Sequence, residues 1–177
     1  MRGSGKALLA IVHAVQHERG HANLSEPRLE VHLLEIAAEH LIERGCKRIT
    51  HIRVQTVRYD GYRQALRNAG MPIREELVYD SVEYDHDDGM AAVHQWLKRG
   101  IAFDGVCAQS DQQLAGAMKT LLQAGKRIPE DVKLIGVDNS PYCDFFPISL
   151  SSVSEEDELR GETRSEERRV GEECRSR

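Results

Sequence analysis

Residues 103–153 read FDGVCAQSDQQLAGAMKTLLQAGKRIPEDVKLIGVDNSPYCDFFPISLSSV, an alternation of strand, turn, helix, turn and strand. Gly105-Val106-Cys107 is a short apolar run of the kind a buried strand carries. Ser110 and Asp111 follow, and either side-chain oxygen can cap a helix N-terminus. Leu114, Ala117, Met118, Leu121 and Leu122 recur at helical spacing as one apolar stripe. Gly125 suits the left-handed position that ends a helix, and Pro129 stops it from resuming. Val132 to Val137 is a second strand, nearly all apolar apart from Lys133, and it runs out onto Asp138-Asn139. The unit is βαβ with polar side chains at the carboxyl end of each strand. Open α/β sheets bind ligands at that edge.

The same alternation extends upstream. Leu29 to Arg44 puts Leu33, Leu34, Ala37, Ala38, Leu41 and Ile42 on one helical side, and Gly45 ends it. His40 sits beside this stripe and reads as packing rather than chemistry. Ile49 to Ile52 is a strand, followed by the short, glycine-free Arg53-Val54-Gln55-Thr56-Val57. Arg58 opens a helix that continues through Gly61, Tyr62, Ala65 and Leu66 to Gly70, with Pro72 beyond. Leu77-Val78-Tyr79 is the next strand and Met90 to Leu97 the next helix. Between them Tyr84 lies in an acidic turn of Glu83, Asp85, Asp87 and Asp88. That turn lacks calcium-loop spacing, and its acids suit a helix N-terminus. Strand centres near Ile49, Leu77, Val106 and Ile135 are about one βαβ unit apart. The expected fold is α/β, a parallel sheet flanked by helices, with right-handed crossovers placing all carboxyl ends on one edge. Arg58, Tyr84, Ser110 and Asp138 each follow a strand and are expected to converge there.

Four motifs in order carry a family resemblance: AAEHLIERGCKRITHI, RYDGYRQALRNAG, AGKRIPEDVKLIGVDNSP and the Pro147-x-x-Leu-Ser-Ser-Val run. From Leu33 to Val153 the chain resembles the sugar-sensing core of LacI/GalR-type transcriptional regulators. The resemblance implies mainly the C-terminal lobe of a periplasmic-binding-protein-like type I fold, in a truncated sensor domain. Residues 29–153 are then a partial effector-binding domain, 1–28 an atypical N-terminal segment and 154–177 a disordered or artefactual tail. Within that tail, RSEERRVGEECRSR is similar to a translated sequencing adapter, with Glu172 in place of a lysine.

The resemblance also implies site roles. Arg58 stands where the family has a ligand-contacting arginine, four residues before the aromatic of the Gly-Tyr pair. Asp138 takes the place of its ligand-binding aspartate, and Tyr84 that of an aromatic that packs on a sugar face. Ser110 matches a position often held by a larger polar group. The residues alone leave alternatives: Arg58 as a solvated first-turn residue, Tyr84 as a structural tyrosine, Asp138 capping the next turn, and Asp111 as the helix cap. Phe145, Phe146 and Pro147 suit a hydrophobic flap or core. Leu150 to Val153 resembles the strand by which the family chain returns to its other lobe.

In the complete family protein the resemblance implies a sugar-like small-molecule effector, a homodimer, a cytoplasmic location and operator DNA held by a helix-turn-helix headpiece. No such headpiece is recognisable in this sequence. With one cleft wall mostly missing, effector binding by this stretch alone is expected to be weak.

Composition bounds the alternatives. The 177 residues carry 24 Lys and Arg against 29 Asp and Glu, a net charge of −5. That length forms one domain with a proper core. The acidic balance argues against this segment gripping nucleic acid by itself. No apolar run approaches a membrane span. Cys46, Cys107, Cys143 and Cys174 show no paired spacing and read as reduced thiols. Arg2 and Lys6 before the apolar run Ala7 to Val12 hint at a signal peptide that His13 interrupts. A transporter's periplasmic sugar-binding protein therefore remains an alternative. His17-Glu18-Arg19-Gly20-His21 satisfies the H-E-x-x-H pattern, so a zinc hydrolase is a remote alternative. Such a helix needs a sheet in front of it, and His17 stands too near the first residue for one. Nothing else reads as a nucleophile elbow, phosphate loop or metal cluster. The sequence therefore implies no cofactor, metal or catalytic residue, and not an enzyme.

Overall fold

The computed structural model describes residues 26–141, 143, 148 and 150–154. Elements follow one another as α1 (Glu26–Glu43), β1 (Ile49–Arg53), α2 (Thr56–Asn68), β2 (Val78–Asp80) and α3 (His86–Lys98). Then come β3 (Gly105–Ala108), α4 (Asp111–Gln123), β4 (Lys133–Val137) and β5 (Ser151–Val153). Every strand pair is parallel, and the sheet order is β2-β1-β3-β4-β5. This is the expected α/β class.

Alternation along the strands sorts the core into two layers. Ile49, Cys107, Ile135 and Val137 face α1 and α2, where Leu34, Ala37, Leu41 and Tyr62 meet them. Ile52, Val106, Ala108 and Leu134 face α3 and α4, packing against Trp96, Leu114, Ala117 and Leu121. Each fully buried leucine or valine removed from water in this way contributes roughly 1.5–3 kcal/mol. Trp96 fills the second layer, with the Phe103 ring 5.5 Å away and the Tyr79 ring edge-on at 6.5 Å. No helix among the described residues is long and apolar enough to cross a membrane.

Several boundaries differ from the sequence reading. Leu150 to Val153 supplies a strand as expected, β5, which pairs Ser151 with Ile135 and Val153 with Val137 in the same sheet. The sheet therefore has five strands rather than four. Leu77 is not in β2, because its N–H is committed to Arg74 O, 3.0 Å away, in a 3-10 turn at Glu75–Leu77. Helix α2 starts before Arg58, since Tyr59 N already donates to Gln55 O at 3.2 Å. Helix α1 runs Glu26–Glu43 rather than Leu29 to Arg44, and Gly45 at φ +88° turns the chain out of it.

Two glycines set the α3–α4 crossing. A Cβ on Gly116 would lie 1.9 Å from His86 O, and one on Gly89 would lie 1.9 Å from Gln113 O. Backbone meets backbone there, so no side chain can yield. Cys46, Cys107 and Cys143 are all buried, and burial pushes the Cys107 thiol up to about 12. The H-E-x-x-H stretch, the Phe145 to Pro147 flap and Cys174 lie outside the described residues.

Candidate functional site

The chain leaves β1 through α2 to reach β2 on one side, and leaves β3 through α4 to reach β4 on the other. The crossovers diverge between β1 and β3, the topological point at whose carboxyl ends open α/β sheets bind ligands. Gln109, the first residue past β3, bridges it. Its Oε1 accepts from Val54 N (3.1 Å) and Gln55 N (2.9 Å), while Nε2 donates to Gln55 O (3.0 Å). Gln55 is the N-cap of α2 yet makes no side-chain cap. The amides that leave β1 are satisfied instead by a side chain from the neighbouring strand. The glycine-free loop needs no glycine, because Gln109 pins it.

His51 lies beneath this bridge, fully buried, with Nδ1 3.0 Å from Cys107 O and Nε2 3.1 Å from Gln109 Nε2. The carbonyl can only accept and the amide nitrogen only donate, so Nδ1 carries the hydrogen and the ring is neutral. Tyr62 and Tyr59 stack beside it, with centroids 4.7 and 5.6 Å away. Burial, with a smaller push from Arg53, lowers its pKa to about 3 against the opposing pull of Cys107 O. The unfolded chain binds this proton below about pH 6.5 and the native state does not, so stability must fall with acidification. From about pH 6.5 down towards 3 the expected loss approaches 1.4 kcal/mol per pH unit for this one group. Urea unfolding at stepped pH should show that slope, and His51→Gln should flatten it.

Arg58 is the third residue of α2, where a cation opposes the helix dipole. Its neighbours compensate: Nε pairs with Glu30 Oε2 on α1, Nη1 donates to Gln109 O at 2.5 Å, and Asp138 Oδ1 stands 3.9 Å from Nη1. Burial works against its charge. Glu30, through a hydrogen bond and its charge, and Asp138 outweigh that and hold it above its ordinary pKa. The guanidinium carbon also lies 5.8 Å from the Tyr84 ring centre.

Asp138 follows β4 with its side chain 47% exposed, against 11% for Arg58. Its φ is +106° and that of Asn139 is +47°, an unfavourable region for residues with a Cβ. Three hydrogen bonds hold this turn: Asp138 N to Val153 O (3.0 Å), Asn139 N to Ser152 Oγ (2.9 Å) and Ser140 N to Asp111 Oδ2 (2.7 Å). Strand β5 and α4 thus aim the carboxylate.

Ser110, not Asp111, caps α4. Its φ of −149° is the extended conformation a cap takes, and Oγ accepts from Gln113 N at 3.1 Å. Its hydroxyl hydrogen goes to Tyr84 O at 2.7 Å. Asp111 is instead the first helical residue, fully buried. Burial raises its pKa, against the N–H of Ser140 that it accepts. In the turn before α3, Asp85 caps the helix by accepting from Asp88 N at 3.0 Å, as its acidic composition predicts.

The structure therefore brings Arg58, Tyr84 and Asp138 to one rim, with Ser110 directly behind Tyr84. Gln109 and Glu30 complete the arrangement and were not singled out in the sequence. A glutamine just past a strand reads as ordinary loop, and Glu30 reads as the solvent face of α1. Among the described residues no group of three or more His, Cys, Asp or Glu is placed to hold a metal ion.

Residues 38–163 match the family described as periplasmic binding protein-like domain. The transcriptional regulator CelR of Thermobifida fusca is 36% identical over 131 residues, covering 71% of this chain and 38% of that protein. A structure titled as a CelR–cellobiose complex superposes with a TM-score of 0.69 at 34% identity, over 75% of this chain and 42% of that one. A LacI-family regulator from Mycobacterium smegmatis gives 0.67 at 27% identity, over 71% and 49%. The chain spans less than half the length of these regulators. It belongs to the LacI/GalR-type transcriptional regulators and carries mainly one lobe of their periplasmic-binding-protein-like effector domain.

Proposed function

We propose that this domain senses a small sugar-like effector at the rim of Arg58, Tyr84 and Asp138. In the complete regulator, a homodimer working in the cytoplasm, occupancy then alters operator affinity through a separate DNA-binding headpiece. The observation that carries this is the placement of Arg58 3.9 Å from Asp138 and 5.8 Å from the Tyr84 ring, at the β1/β3 switch point. A half-exposed carboxylate accepts from two adjacent hydroxyls, the guanidinium donates in fixed geometry, and a ring offers apolar area to a sugar's C–H face. Ser110 acts through Tyr84, whose carbonyl it holds, rather than through the ligand. The matched relatives are named as regulators, and one is titled as bound to cellobiose, which supports sensing over transport or catalysis.

The test is a panel of mono- and disaccharides and nucleosides, scored by thermal shift and calorimetry in the natural protein that carries this sequence. One sugar is expected to bind, and to change operator affinity in a mobility-shift assay. Binding of nucleosides alone, or ligand binding that leaves DNA affinity unchanged, argues against the proposal.

A further inference from the structure

The Arg58 guanidinium stands between two carboxylates. Glu30 pairs with Nε from the α1 side, and Asp138 faces Nη1 from the β4 side. With the Arg58 side chain only 11% exposed and Glu30 26%, solvent and salt screen the Arg58–Glu30 pair less than a surface pair. Glu30 offsets the charge of Arg58 on one side, and Asp138 adds a second carboxylate on the other. The segment leaving β2 adds Asp80, Glu83, Asp85, Asp87 and Asp88; Asp80 pairs with Arg53 at 2.5 Å, Asp85 accepts from Asp88 N, His86 stands 3.6 Å from Asp87, and Asp88 accepts from Ser81 Oγ and the N–H groups of Val82 and Glu83. His51 beneath the rim is neutral and supplies no cation.

An arginine facing a cleft alone grips phosphate or carboxylate through two parallel hydrogen bonds. Here Nε is spent on Glu30 and Nη1 on Gln109 O. Nη2 is the nitrogen with no acceptor among the described residues. It can serve one hydroxyl, but an oxyanion arriving there meets the carboxylates of Glu30, a quarter exposed, and Asp138, half-exposed. Like charges held close in this way exclude a ligand more effectively than a missing contact does.

We propose that Glu30 is a specificity-determining residue: by occupying and neutralising Arg58, it sets the rim to take uncharged polyhydroxylated ligands and to turn away phosphorylated or carboxylate-bearing ones. This deepens, and rests on, the reading of the rim as the effector site.

Inorganic phosphate is the probe, titrated calorimetrically into the chain at constant ionic strength. The unmodified chain is expected to show no saturable binding across the millimolar range. Glu30→Gln should bind phosphate at least about tenfold more tightly, and Glu30→Gln with Arg58→Met should lose the gain. Glu30→Ala repeats the test without a side-chain amide, and circular dichroism with urea midpoints verifies that each variant is folded. Phosphate binding by the unmodified chain that depends on Arg58 and equals that of Glu30→Gln overturns the proposal. So does the absence of any gain in both Glu30 variants. The sugar reading is scored apart, by loss of uncharged-sugar binding in Asp138→Ala. It can fail while the phosphate gain appears, or hold while the gain does not.

Discussion

Replacing Arg58 with methionine is expected to raise the effector's dissociation constant at least about 100-fold, near 2.7 kcal/mol, and separately to weaken the fold. Both effects follow from the same atoms. The side chain is 11% exposed and links α2 to Glu30 on α1, to the carbonyl of Gln109 past β3, and to Asp138 past β4. Methionine keeps much of the volume but takes the guanidinium away from both Glu30 and Asp138. It also leaves Gln109 O short of a donor. Stripping one partner from a partly buried pair costs about 1–3 kcal/mol here, less than for a fully buried pair because Glu30 retains some solvent. Arg58→Lys separates the two roles. It restores charge and most of the stability, yet a single ammonium cannot reach Glu30, Gln109 and a ligand together. Calorimetry should therefore find the lysine variant as impaired in binding as the methionine one, while urea denaturation finds it close to the parent.

Gly116→Ala is expected to cost at least about 3 kcal/mol, or to prevent folding. The added Cβ would fall 1.9 Å from His86 O, and His86 is the first residue of α3. Relief requires α3 to slide off α4. Because Tyr84 and Asp85 lead directly into α3, the Tyr84 wall of the rim moves with it. Gly125→Ala makes the control. Nothing lies within 4 Å of a Cβ there, but φ is +75°. The expected cost is only about 1 kcal/mol, from backbone conformation alone. Denaturant unfolding of the pair distinguishes close approach from conformational strain.

Most of the fold is legible in the sequence because buried parallel strands write themselves as short apolar runs and their helices as stripes. Gly45 and Gly125 mark helix ends that the structure places at positive φ. Strand order is different. Nothing in the spacing of Ile49, Leu77, Val106 and Ile135 says that β3 lies beside β1 rather than beside β2, since tertiary packing decides that. β5 was legible through the family resemblance alone, and its place beside β4 was not, because three residues, two of them serines, carry no period. The cap of α4 was ambiguous for a chemical reason: adjacent Ser110 and Asp111 both offer the required oxygen. Only backbone geometry and the pull of Asp111 into the core separate them. The convergence of Arg58, Tyr84 and Asp138 was legible because each follows a strand. Glu30 was not, because its role depends on how α1 lies over α2, which no local pattern encodes.

The central claim is that Arg58 and Asp138 act on one ligand from two sides of a single crevice. A double-mutant cycle with Arg58→Met and Asp138→Ala, titrated with the sugar the panel identifies, tests it directly. Each single variant is expected to lose most of the affinity, and the pair to show a coupling of about 1 kcal/mol or more, because both touch the same molecule and each other. Parental affinity in both single variants would contradict the account.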